Sequence, residues 1–129
     1  MTRINASYPV EDLCDAHLMA EHREIKRIPN VIVSGRYSLS NTPDKFTLGT
    51  GHVKFFYKKC LYLKKRYEKL FTECRARGFN VEYYGHAWDN VPESFMNDWK
   101  ETSAAFSLIN ERIEERLSGM KNTKKTLPN

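Results

Sequence analysis

The chain has 129 residues, enough for one domain with one modest core. Its 21 Lys and Arg outnumber its 16 Asp and Glu, giving a net charge of +5, which permits a polyanionic partner without proving one. Three cysteines, Cys14, Cys60 and Cys74, leave one unpaired in any internal scheme and show no C-x-x-C spacing, which argues against a disulfide framework and a thiolate zinc site. With neither an apolar leader nor an apolar run of the ~20 residues that span a bilayer, the expectation is a soluble cytoplasmic protein that is not secreted.

In chain order, the first helix is predicted over residues 10–32, where Val10, Cys14, Leu18, Ile25 and Ile28 recur at helical spacing; a bend is expected at Pro29. Residues 34–51 have the Gly, Ser, Asn and Pro density of a long loop. The clearest periodicity follows, with Val53, Phe56, Cys60, Leu63, Tyr67, Leu70 and Cys74 stepping by three and four along one stripe and Gly78 placed to stop the helix. Around that stripe, residues 54–77 hold nine basic residues against two acids, Glu68 and Glu73. Residues 79–100 are aromatic, aperiodic and punctuated by Gly and Pro, and read as a loop with a short helical turn. A third helix spans about residues 102–117, burying Ala105, Ile109, Ile113 and Leu117, and residues 118–129 read as a frayed basic tail. The fold class is therefore all-α, a single domain of three main helices joined by long loops.

On the first helix, His17, Arg23, Glu24 and Arg27 fall within an arc of roughly 120° at 100° per residue, with Ala16 and Ala20 keeping it open. Such an arc also suits a solvated face with i,i+3 and i,i+4 pairing. Glu21 lies instead among Val10, Cys14 and Ile28, where a carboxylate needs a basic partner. His17 and Glu21 are four apart, but no second ligand set accompanies them, so a metal is not expected.

The small side chain of Thr2 favours removal of Met1 by methionine aminopeptidase, which exposes an α-amine. Its pKa of about 7.7–8.0, against about 10.4 for lysine, leaves roughly a third neutral near pH 7.5. Such an amine attacks electrophilic carbon and forms Schiff bases when a carboxylate is at hand to move protons, and Glu24 is a candidate.

The stretches "MTRIN", "AHLMAEHRE" and "FTLGTGHVKFFYKK", followed by "RGFN" and "AAFSLINERIEERL", resemble the pyrimidine-dimer DNA glycosylases, the endonuclease V-like ultraviolet-repair enzymes of T-even phage and chlorella virus. The likeness runs to about Leu117. It implies a helical bundle with the N-terminal segment running between the helices, and a linked glycosylase and abasic-site lyase acting on cyclobutane pyrimidine dimers through an imine. Thr2 then supplies the amine and Glu24 the essential carboxylate, without a cofactor or metal. By the same resemblance Arg3, Arg23 and Arg27 hold DNA at the lesion, His17 is an active-site histidine, and Arg112 and Arg116 contact DNA. The partner is damaged double-stranded DNA, met by a monomer that is bacterial or virus-encoded, with a base extruded from the kinked duplex.

The chain departs from the family pattern in four places, the first being one extra residue between "MTRIN" and the first helix. Ala16 stands for a glutamine, His22 for an aromatic, and the tail "MKNTKKTLPN" has no aromatic ring. Two other readings remain open at this point: the same imine chemistry on oxidised purines or abasic sites, and a non-catalytic basic DNA-binding protein using residues 54–77. Neutralising Lys64 and Lys65 on the second helix is expected to flatten the salt dependence of binding.

Overall fold

A computed structural model describes residues 2–128, and the described residues are helical with no strand. A 3-10 turn at Val10–Asp12 leads into α1 (Asp15–Glu24) and α2 (Arg27–Ser34); α3 (His52–Phe55) and α4 (Cys60–Ala76) follow the first long loop, and α5 (Ser103–Ser118) follows the second. The all-α expectation holds, and the fate of Met1 lies outside the described residues.

The first helical stretch is two helices, and Pro29 supplies the reason. Proline has no N–H to give to the carbonyl four residues back, and its ring crowds that group. That carbonyl belongs to Ile25, which accepts from the Ile28 N–H at 3.3 Å instead. The break therefore falls at Ile25 and Lys26, while Pro29 sits in the first turn of α2, where no donor is needed.

The second stretch is also interrupted. Its stripe is buried as expected from Phe56 to Cys74, but residues 56–59 turn between α3 and α4. The turn lets two consecutive rings enter the core: Phe55 and Phe56 are 2% and 0% exposed, and both pack edge-on to Trp99. Neighbours on one continuous helix diverge by ~100°, so the turn satisfies both. At the other end, the Phe79 N–H donates to the Cys74 carbonyl at 2.9 Å and the Gly78 N–H to Arg75 at 3.0 Å. This Schellman stop needs the left-handed backbone of Gly78, φ 90°. On α5, Thr102 caps the N-terminus by accepting from the Ala105 N–H at 3.1 Å, and Ala105, Ile109 and Ile113 are buried.

Two arginines at α4 bind it to α1. Arg66 is buried and meets Glu21 through two nitrogens: Nε donates to Oε2, and Nη2 to Oε1 at 3.0 Å. Its Nη1 donates to the Tyr8 carbonyl at 3.0 Å. Arg77, also buried, donates to Asp15 at 3.0 Å and Glu73 at 2.8 Å. The pairing of 66 with 21 and 77 with 15 makes α1 and α4 antiparallel.

Rather than fraying, the tail folds back to the start of α1. The Asp15 N–H donates to the Lys124 carbonyl at 2.8 Å, and Asp15 accepts from the Thr126 N–H at 2.9 Å and from its hydroxyl at 2.6 Å. Burial alone would raise the Asp15 carboxyl, but the Thr126 bonds and Arg77 outweigh it and hold it below its ordinary value.

Replacing Arg66 by Met should strand the Glu21 carboxylate in the core and cost about 3–5 kcal/mol of stability, read from urea unfolding. Adding Glu21→Leu should recover much of that loss, because the desolvated charge then goes too.

Candidate active site

The N-terminal segment runs through the protein interior, with Ile4, Asn5 and Ala6 at 0%, 5% and 0% exposure. Its polar groups are met one by one. The Ile4 N–H donates to His52 Nε2 at 2.9 Å, the Asn5 amide donates to Glu21 Oε1 at 2.8 Å, and the Ser7 N–H donates to Glu101 at 2.6 Å. Ser7 takes a left-handed conformation, φ 67°, to turn the chain out of the interior. Thr2 and Arg3 are half-buried, and Arg3 is the one of the two that lines the space ahead of the segment.

There a cleft of about 300 Å³ opens, lined by Arg3, His17, Glu24 and Arg116 together with Asn5, Ala20, Glu21 and Ile113. Four of the eight come from one face of α1, at residues 17, 20, 21 and 24, the i, i+3, i+4, i+7 pattern of a single helical stripe. Ile113 and Arg116, one turn apart, bring α5 to the opposite wall. Of the residues the sequence singles out, the cleft gathers Arg3, His17, Glu24 and Arg116. Arg112 is close enough to act on the charge of Arg3, and Arg27 Nη1 reaches the Thr2 hydroxyl at 3.5 Å. Arg23 is exposed, and its Nη2 lies 3.4 Å from Glu24 Oε2. The break before α2 thus leaves Arg27 beside the N-terminal segment although it no longer shares a helix with Glu24.

Arg3 and Arg116 share the cleft lining with the carboxylates of Glu21 and Glu24, and Arg112 pairs with Glu115 at 3.7 Å. Burial, then Arg116 and Arg112, lower the Arg3 guanidinium to about 10, and Arg3 Nη1 is buried with no partner among the described residues. Burial also lowers His17, reinforced by Arg116 and Arg3, and its Nδ1 is likewise unpartnered. One nitrogen of Arg3 and one of His17 are therefore left without a hydrogen-bond partner beside the cleft, which fits a ligand that brings acceptors to the guanidinium.

The basic stretch at 54–77 behaves differently. Arg66 and Arg77 are buried in ion pairs; Lys64 donates to Tyr83 and Gly85 and pairs with Glu68; Lys65 pairs with Asp98; Lys54 and Lys59 donate to the carbonyls of Ser40 and Phe55. Much of the charge that dominates the sequence is used inside the fold. Glu21, as expected, has its basic partner, and with both oxygens engaged by Arg66 and Asn5 it offers His17 no companion for a metal.

Sequence reasoning missed His52 and Asn5, which hold the N-terminal segment. The only signal for His52 was its place after the Gly-Thr-Gly turn. His22 fills the place of an aromatic ring as a ring itself, packed on Tyr67, Tyr84 and Phe71 with centroids 5.3, 5.1 and 6.2 Å away. Burial, then Lys26, lower its pKa and keep it uncharged. Ala16 is exposed on α1 and does not line the cleft.

A family model for pyrimidine dimer DNA glycosylases matches residues 1–84. The chain belongs to that family. It is a DNA repair glycosylase, an enzyme that acts on DNA, and among the described residues no helix is long and apolar enough to cross a membrane. The matched span carries Thr2, Arg3, His17, Arg23, Glu24 and Arg27 and the whole interior path of the N-terminal segment. The α5 wall of the cleft, with Ile113 and Arg116, lies beyond it, as does Arg112.

Two measurements follow from this charge distribution. Arg116→Ala should reduce the slope of log binding constant against log salt by about 0.9 if one phosphate contact is lost, whereas the Lys64→Ala, Lys65→Ala double variant should leave the slope unchanged in the same titration. Lowered pKa values at His17, His22 and His52 mean that the unfolded chain binds more protons than the folded one below the ordinary histidine value. Stability should therefore fall as pH drops from about 7 through about 6.5 and below, seen as a declining urea midpoint.

Proposed function

We propose that this glycosylase removes cyclobutane pyrimidine dimers from damaged duplex DNA and cleaves the resulting abasic site, through an imine on the α-amine of Thr2 after loss of Met1. The observation that carries this reading is the cleft at Arg3, the residue next to Thr2, where Glu24 lines the wall with Arg3 and Arg116 and Arg3 Nη1 is buried without a partner among the described residues.

In this mechanism the neutral amine attacks C1′ of the 5′ nucleotide of the dimer. A C1′–N bond forms, and the glycosidic bond breaks with its electron pair leaving on the base, which remains tied to its neighbour by the cyclobutane ring. Loss of the amine proton and opening of the sugar give the imine. Glu24 then takes a proton from C2′, and the electrons released expel the 3′ phosphate, cutting the strand. Water hydrolyses the remaining imine and returns the amine. Arg3, Arg112 and Arg116 neutralise phosphates, while Arg23 and Arg27 hold the lesion next to Thr2 and Glu24. His17, kept neutral, offers a hydrogen bond to the distorted nucleotide, and the poor stacking of a dimer lowers the cost of extruding a base. The enzyme works as a monomer and needs no cofactor.

Borohydride reduction of the protein on an abasic duplex should produce a covalent adduct that peptide mapping assigns to residue 2, in material whose intact mass lacks Met1. Glu24→Gln should still bind a dimer-containing duplex and lose most of its nicking, by about 100-fold or more, as expected when a positioned base is removed. An active preparation that retains Met1 would sink the amine assignment, and near-normal nicking by Glu24→Gln would return that residue to an ordinary helix surface.

A further inference from the structure

His52 lies 48 residues from Ile4 in sequence, yet it is 2% exposed and forms the first backbone anchor of the N-terminal segment. Both ring nitrogens are committed. Nε2 accepts the Ile4 N–H at 2.9 Å, so the proton of the neutral ring is on Nδ1, which donates to the Thr47 carbonyl at 2.8 Å. The Phe46 and Phe56 rings stand edge-on to it, with centroids 5.4 and 5.6 Å away, and the charged groups acting on it are Arg3 and Glu21. Burial lowers its pKa; the Thr47 bond and Glu21 oppose this and Arg3 adds to it, leaving the ring in the uncharged form that the Ile4 bond requires.

We infer that His52 is a positioning residue of the glycosylase: by holding the Ile4 amide it fixes where Thr2 and Arg3 stand at the cleft. The inference rests on the reading of Thr2 as the attacking amine. The next anchor in this segment is Asn5, whose side-chain amide donates to Glu21. An extended chain reaches at most about 3.3–3.6 Å per residue, so Thr2 is tethered within about 7 Å of Ile4, but within only about 11 Å of Asn5 if the first anchor is lost. Misplacing a reacting group by about 1 Å can cost on the order of 100-fold in rate, so shortening this arm bears on turnover more than on binding, which is spread over many cations.

Substituting asparagine or glutamine for His52 separates the two ring nitrogens. The shorter asparagine side chain would place its amide near the Nδ1 position, keeping the Thr47 contact and leaving the Ile4 N–H unpaired; the longer glutamine side chain would carry its amide to the position of Nε2. Steady-state cleavage of an abasic duplex by H52N should show kcat reduced about 10- to 100-fold with KM within about twofold, as expected for a misplaced nucleophile. H52Q should recover most of kcat. Hydrogen exchange at the Ile4 amide should be fast in H52N and slow in H52Q. Equal loss of kcat in both, or a normal kcat in H52N with fast exchange at Ile4, overturns the role of His52. If H52N does not fold, a semisynthetic chain with an ester in place of the Ile4 amide removes the same bond from the other side; it should show the same fall in kcat, and normal turnover overturns the inference. Borohydride trapping of the wild-type protein at residue 2 is scored separately. Wild type that turns over without being trapped there overturns the Thr2 reading, while the comparison of H52N with H52Q, read on turnover, bears on His52 alone.

Discussion

Glu21 and Arg66 meet with side chains 1% and 6% exposed, and the remainder of the molecule is arranged around that contact. Burying two charges costs several kcal/mol per ion unless each hydrogen-bonding group finds a partner. Here the partners come from three places: Arg66 spans Glu21 and the Tyr8 carbonyl, and Asn5 completes the carboxylate. Because the set is satisfied only when α1, α4 and the N-terminal segment are all in place, it selects one rotation of α1. Glu21 is one turn from both His17 and Glu24, so that rotation also decides that both face the cleft.

Charge in this chain falls into two populations with opposite physical roles. On α4 the buried arginines and several lysines are matched by carboxylates or carbonyls, and they contribute to architecture. Around the cleft, Arg116 and Arg112 crowd Arg3, whose Nη1 has no partner among the described residues, although Glu24 lines the same cleft and Arg112 pairs with Glu115. Folding alone does not reward such crowding, since each cation raises the cost of the next. A phosphate would offset it, and so the unpartnered Arg3 nitrogen is a better guide to where an anion fits than the denser run in the sequence.

The core stripe from Phe56 to Cys74, the α5 face at Ala105, Ile109 and Ile113, and the paired state of Glu21 are all legible in the sequence, because apolar periodicity and the cost of a buried carboxylate are local signals. The two helix breaks are less so. Pro29 advertises a disturbance, but its effect falls four residues earlier, on the Ile25 carbonyl. The turn at residues 56–59 arises from packing Phe55 and Phe56 against Trp99, which lies on the far side of α4 in sequence and outside any local window. His52 is hidden for the same reason, since its partner is Ile4. The tail reads as frayed because its cations suggest solvent, whereas Thr126 and the Lys124 carbonyl find the first turn of α1.

These long-range ties all converge on α1. Its first residue, Asp15, is held by Arg77 from the end of α4 and by Thr126 from the tail, and its middle is held by Arg66, so its start and its rotation are both fixed. The far end is held by packing instead: His22 is buried against Tyr67, Tyr84 and Phe71 and Ile25 is in the core, while the Glu24 side chain has the long contact from Arg23. The helix is thus fixed by ion pairs at its start and middle and by aromatic and apolar packing on either side of Glu24. That division explains how His22 can take the place of an aromatic ring and Ala16 that of a glutamine: one is buried as an uncharged ring in an aromatic cluster and the other faces outward, so neither disturbs the contacts that orient the cleft.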